Sequence, residues 1–294
     1  MPISVCIAIF CILAAAIGLC TAPLFARLPE AWLQDYGFDP KAPNFRLAKR
    51  MKLLPHGVIC AICCGICFLV MFLVNEAMLV DFQFVYIISY IFAFPVMFMV
   101  LMADKLNKII PDEFSIWLFA LGVLALVGDF VHGSMWFTEA APWFAPLVNR
   151  FGGALIGGGL LWLIGFICST FAGVEGMGQG DMKLLAALGM LSGIYGLVPI
   201  FYISVFSAVF FAIPLVIKKY YIKYKESQEI KNSPDPRAKK RELQIKRKQQ
   251  SYVDNESYLA FGPFLSLGCA CFLVLEPLFY DLMIGYLAML GLVW

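Results

Sequence analysis

Eight runs without a single charged residue divide the chain, at 1–26, 53–75, 82–103, 114–128, 151–174, 184–217, 257–275 and 282–294. A surface helix of a soluble protein would show a polar face every turn, and these runs show none. Crossing the hydrocarbon of a bilayer takes roughly 20 apolar residues per helix. The runs are rich in β-branched and aromatic residues, yet too long for the alternating strands of a membrane barrel. Helices are the other way to satisfy backbone groups in lipid. The pattern predicts an all-α, polytopic membrane helical bundle with about eight transmembrane helices.

One run is too long for a single span. The 34 residues from Leu184 to Ile217 would reach about 51 Å as one helix. The turn signals Ser192-Gly193 and Tyr195-Gly196 predict a split into two helices, the first only about 10–13 residues long and reaching part way across. The last run, 282–294, is a weak candidate for a further crossing. No internal repeat is visible.

Composition agrees with the pattern. Apolar residues make up 62% and charged residues 14%, with a mean hydropathy of +0.83. A soluble domain is about half apolar and a quarter charged, so that class is excluded, as are disordered and disulfide-scaffold classes. The net charge of +2 matters less than its distribution. Alternate threading puts the 27–52, 103–113, 173–183 and 218–256 loops on one side, with 21 of the 22 Lys and Arg residues. Only Arg150 falls opposite. The positive-inside rule makes the basic side the cytoplasm and places the N-terminus outside; the opening run lacks the basic flank of a cleavable signal.

Charge also sorts the minor candidates. The 218–250 stretch has 12 basic residues against 4 acids. Beside a membrane helix it reads as a topology determinant touching anionic lipid headgroups, and not as a nucleic-acid patch. All ten cysteines lie inside apolar runs. Cys60, Cys63, Cys64 and Cys67 share one helix face, where small, weakly polar residues let a neighbouring helix approach. Gly152, Gly153, Gly157, Gly158 and Gly159 read as helix packing too. His56 and His132 are topologically far apart, and neither a metal nor a cofactor is expected.

Chemistry is better sought among ionisable residues at membrane borders. Asp104 closes the 82–103 helix on the cytoplasmic side, followed by Lys105-Leu106-Asn107-Lys108-Ile109-Ile110-Pro111-Asp112. Asp181 stands in Gly176-Met177-Gly178-Gln179-Gly180-Asp181-Met182-Lys183-Leu184, at the start of an apolar helix. A solvated acid and a helix N-cap are the plain alternatives for the two. An N-cap, however, does not need three alternate glycines. Gly178 and Gly180 permit close backbone approach by an extended segment. Both acids sit at cytoplasmic helix ends, so packing can bring them together. Two carboxylates at a partly dry boundary do not both ionise cheaply; one keeps its proton while the other activates a water. That is the chemistry of aspartic proteolysis. Asp112, after Pro111, is expected to cap the helix beginning near Phe114.

These stretches, together with Phe261-Gly262-Pro263-Phe264-Leu265-Ser266-Leu267-Gly268, resemble type IV prepilin peptidases over roughly 85–280. All three stand in the family's order. The GxGD form also occurs in presenilin-type proteases, but the Ile110-Pro111-Asp112 and Phe261–Phe264 stretches favour the prepilin group. The resemblance implies an inner-membrane aspartic endopeptidase, with Asp104 and Asp181 as the catalytic pair. It would remove the basic leader from type IV prepilins or pseudopilins. Glu175 matches a position that is often acidic in the family, suited to the leader's basic residues, with a solvated loop charge as the alternative; Lys183, two residues past Asp181, either holds it ionised or snorkels to the headgroups.

Many family members carry paired CxxC motifs between their first two helices, associated with N-methylation. The corresponding 27–52 segment contains no cysteine. The chain is therefore expected to divide into N-terminal helices with a short loop over 1–80 and a peptidase domain over 81–294 with a basic loop at 218–256. N-methyltransferase activity is not expected. The competing reading from another class is a transporter or channel in which Asp104 and Asp181 bind ions. A transporter would place them near the midplane, and both fall at one border.

Overall fold

The computed structural model describes residues 3–34, 39, 41, 45–137, 141–172, 178–232, 241 and 260–289. Among these, nine α-helices and no strand occur: α1 (Ile3–Ala26), α2 (Val58–Val74), a single turn α3 (Ala77–Val80), α4 (Phe84–Asn107), α5 (Asp112–His132), α6 (Ala145–Ala172), α7 (Gln179–Lys231), α8 (Gly262–Val274) and α9 (Glu276–Met289). The all-α class stands. Six helices are long and apolar enough to cross a membrane, or up to seven if α8 and α9, bent by 81°, form one span. The expected number of about eight differs because it counts α7 twice.

That difference rests on Gly193. Its φ of 75° interrupts α7. Before it, Gly153 faces Gly189 and Gly157 faces Leu185, so this arm runs antiparallel to α6. After it, Gly196 meets Phe272, Ile200 meets Gly268, and Ser204 Oγ donates to the Phe264 carbonyl at 2.9 Å. The second arm therefore runs antiparallel to α8 and reverses the direction of the first. The first arm, Gln179–Ser192, spans about 21 Å, less than the roughly 30 Å of hydrocarbon.

A break inside the bundle exposes backbone groups that lipid cannot satisfy. Residues 149 and 150 of α6 supply partners. Asn149 Oδ1 accepts the Ile194 N–H at 2.8 Å, and the Arg150 guanidinium donates to the Leu191 carbonyl. Arg150 also holds both oxygens of Asp129, at 2.6 and 2.9 Å, and Tyr86 donates to the same carboxylate. The one basic residue on the wrong side of the charge pattern is thus buried and paired, serving packing and not topology.

Small residues set the closest helix contacts. A Cβ on Gly153 would lie 2.3 Å from the Gly189 carbonyl oxygen, and one on Gly18 would lie 3.0 Å from the Ala61 Cα. Cys60 and Cys64 are buried on the same α1–α2 seam, with their sulfurs 3.9 Å apart. Their surroundings are those of packing residues. Among the described residues no group of three His, Cys, Asp or Glu side chains is arranged to hold a metal ion.

The central helix is α4, which touches α1, α2, α5 and α8. The 27–52 segment is fastened to its end: Asn107 accepts the Lys49 N–H at 2.8 Å and donates to the Lys49 carbonyl at 3.2 Å. Glu30 pairs with Arg50, which also donates to the Leu28 carbonyl. On the same side, the expected loop from 218 begins instead as helix, since α7 continues to Lys231. No Gly or Pro occurs between Lys218 and Lys231, and Lys, Glu, Gln and Ile tolerate a helix well.

Candidate active site

Asp104 lies in the last turn of α4, because the helix continues one turn beyond the last uncharged residue. It ends where Lys108 adopts a left-handed conformation and donates its N–H to the Asp104 carbonyl at 2.9 Å. The side chain is only 5% exposed. Its Oδ2 accepts the backbone N–H of Gly262 at 2.9 Å, directly at the N-terminus of α8. A helix N-terminus presents free N–H groups and a partial positive charge, which suit a carboxylate.

Asp181 is the third residue of α7. The N-cap is Gly178, in extended conformation and without a side-chain capping bond, so Asp181 does not act as the cap. It is 9% exposed, and its Oδ1 is buried without a hydrogen-bond partner among the described residues. The charge of Asp104 acts on Asp181. The two acids expected to meet are therefore brought to one end of the bundle, from a helix end and a helix start about 80 residues apart in sequence.

Ile110 joins the elements around them. A Cβ on Gly180 would be 3.1 Å from Ile110 Cβ; one on Gly262 would be 2.8 Å from Ile110 Cδ1 and 2.7 Å from Asp104 Oδ2. Gly178 is close to the acid as well, since a Cβ there would lie 3.3 Å from Asp181 Oδ2. Both glycines of the α7 approach are consequently small because of what they touch.

Two other expectations change. Asp112 is the first residue of α5, whose N-cap is Pro111 with no side-chain capping bond. Asp112 is therefore inside the first turn and not at the cap, and its carboxylate pairs with Lys183 Nζ at 2.7 Å. Lys183 thus reaches across to α5 and not back to Asp181. Glu175 lies outside the described residues. Gly262 and Ile110 both stand in stretches that carry the resemblance, but the sequence assigns neither of them a role beside the acids. A Gly-Pro pair opening a helix was the available signal for the first, whereas nothing local marks the second.

Residues 91–213 match the model of the type IV leader peptidase family. The chain is 33% identical over 101 residues to the prepilin leader peptidase/N-methyltransferase of Xanthomonas campestris pv. campestris, and 33% identical over 102 residues to the protein of that name from Neisseria gonorrhoeae. Each alignment covers 34% of this chain and 31% of the relative, so the chain spans about a third of the curated relatives' length. No solved structure matches the chain. The resemblance read from the motifs holds over the matched segment, which includes both Asp104 and Asp181.

Proposed function

We propose that this is a multi-pass inner-membrane aspartic endopeptidase that removes the basic leader of type IV prepilins or pseudopilins at the cytoplasmic face. The observation that carries the reading is the pairing of Asp104 and Asp181, both buried at one end of the bundle and inside the segment that matches leader peptidases.

In this reading the pair shares one proton. Asp104, which receives the Gly262 N–H, is the carboxylate that takes a proton from an attacking water. The water oxygen bonds to the scissile carbonyl carbon while Asp181, without a donor of its own on Oδ1, gives its proton to the carbonyl oxygen. Breakdown of the tetrahedral intermediate returns a proton to the leaving amine. Gly178 and Gly180 allow an extended substrate to lie against the α7 approach, Glu175 receives leader basic residues, and Lys183 stands at the rim. The N-terminus lies outside, and the 27–52 and 218–256 segments face the cytoplasm and anionic lipid. A dedicated peptidase without N-methyltransferase activity follows from the cysteine-free 27–52 segment. The location of both acids at helix termini speaks against an ion site at the bilayer midplane.

Co-expression with a candidate prepilin tests this directly. Leader loss is read as a mobility shift and by mass. An unprocessed prepilin at normal enzyme abundance, across a panel of prepilins and pseudopilins, overturns the reading.

A further inference from the structure

The end of the bundle opposite the aspartates contains a cavity of about 290 Å³. Gln83, Tyr86, Tyr90, His132, Ser134 and Glu276 provide its polar and aromatic lining, with no Lys or Arg among the described residues that line it. Glu276 opens α9 just after the sharp bend from α8, and it is in no ion pair among the described residues. Its Oε1 accepts the Trp136 indole N–H at 2.8 Å, which fixes the carboxylate in place. Trp136 is itself held by stacking on Tyr195, with centroids 4.9 Å apart. Asp129 nearby is paired with Arg150, whose charge also acts on Glu276, so Glu276 is the acid that the cavity itself presents to a ligand. His132 Nε2 adds a ring nitrogen with no hydrogen-bond partner among the described residues.

We infer that this cavity binds the primary ammonium group of a small amine, with Glu276 as counter-charge and Tyr86 and Tyr90 as its aromatic wall. Among the described residues no Lys or Arg lines the cavity, which suits a cation better than an anion. Aromatic rings and a carboxylate together favour a cation, and the Gln83 and Ser134 oxygens suit a group with several N–H donors. The volume lies at the small end of ligand sites, roughly 300–1,000 Å³, which fits a headgroup-sized amine. Exposed Phe82, Phe84 and Trp143 mark this end as a membrane interface, where such an amine is carried by lipid or dissolved in the water.

The full-length protein in nonionic detergent is titrated with ethanolamine and glycerophosphoethanolamine, and its unfolding midpoint is followed. In parallel it is placed in phosphatidylglycerol nanodiscs with and without phosphatidylethanolamine. A saturable rise is expected with each soluble amine. A rise in the ethanolamine-lipid discs assigns the lipid source, and a rise with soluble amines alone assigns the free source. Glu276→Gln, which retains an oxygen for Trp136, is expected to weaken binding at least tenfold. Ala77→Phe, which fills the cavity from its rim, is expected to abolish it and decides the matter if the first variant fails to fold. No response to any amine, an undiminished response in either folded variant, or equal binding of glycerophosphocholine overturns the inference.

Discussion

Two regions of this bundle bury aspartates, and they treat them oppositely. Asp129 has a guanidinium on both oxygens and a tyrosine hydroxyl besides. Asp104 receives one backbone N–H, from Gly262, and feels the Lys108 charge, and neither it nor Asp181 is in an ion pair among the described residues. A buried acid that serves the fold is given a cation, because an uncompensated charge in an apolar interior is costly. A pair left without one is what the proposed peptidase chemistry requires, since one carboxyl must give and the other take a proton. Burial alone therefore does not separate the two regions; the direct ion pair does.

The comparison breaks most readily at the catalytic end. Asp104→Asn and Asp181→Asn are each expected to lower prepilin turnover by about 10²–10⁴-fold while leaving membrane insertion and the unfolding midpoint intact. The double variant is expected to be hardly worse than either, since the two act as a unit. Near-parent turnover in either single variant would remove the catalytic assignment.

The opposite end should respond in stability. Arg150→Met leaves Asp129 buried without its cation and the Leu191 carbonyl without a donor, and is expected to cost about 3–5 kcal/mol. Denaturation in matched micelles checks this. Asp129→Asn with Arg150→Met together is expected to recover part of the loss, and failure to recover it would mean that the pair is not what holds the Gly193 turn.

Gly262→Ala tests the positioning of Asp104. A Cβ 2.7 Å from Asp104 Oδ2 displaces the carboxylate or α8, with an expected loss of about 10–10²-fold in turnover and little change in substrate affinity. A loss of affinity with turnover preserved would assign Gly262 to substrate contact instead.

Glu30 gives the comparison a pH axis. Burial raises its carboxyl, but the Ala48 N–H, Gln34 and Arg50 outweigh this and hold it below the usual carboxylate range. A lowered folded value means the contribution is present above the unfolded value, about 4.3, and is lost as pH falls through the folded one. The parent is thus expected to lose stability on acidification below about pH 4.3 more steeply than Glu30→Gln, as read from unfolding midpoints across that range.

The smallest effect belongs to Asp112→Asn. Its ion pair with Lys183 is exposed, where such pairs contribute about 0–1 kcal/mol, and the N-cap position belongs to Pro111. Turnover within a few-fold of the parent is expected at matched membrane abundance. An inactive Asp112→Asn beside an active Asp104→Asn would move the catalytic acid across the loop.

Sequence alone determined what depends on local pattern. Charge-free length dictated membrane helices, Gly193 announced the break in α7, and the placement of Asp104 and Asp181 at helix ends on one side followed from the order of apolar runs. Each is a property of a few neighbouring residues or of their alternation, and so is legible along the chain. Tertiary structure decided what depends on contacts between distant segments. That Arg150 is a buried partner for Asp129 and Leu191, that Lys183 answers Asp112 and not Asp181, and that the Gly262 N–H reaches Asp104 across 158 positions are consequences of packing. No local signal encodes a partner that far away, because a hydrogen bond or ion pair is selected by distance in space after the helices have assembled, whereas hydropathy and turn chemistry act before they meet.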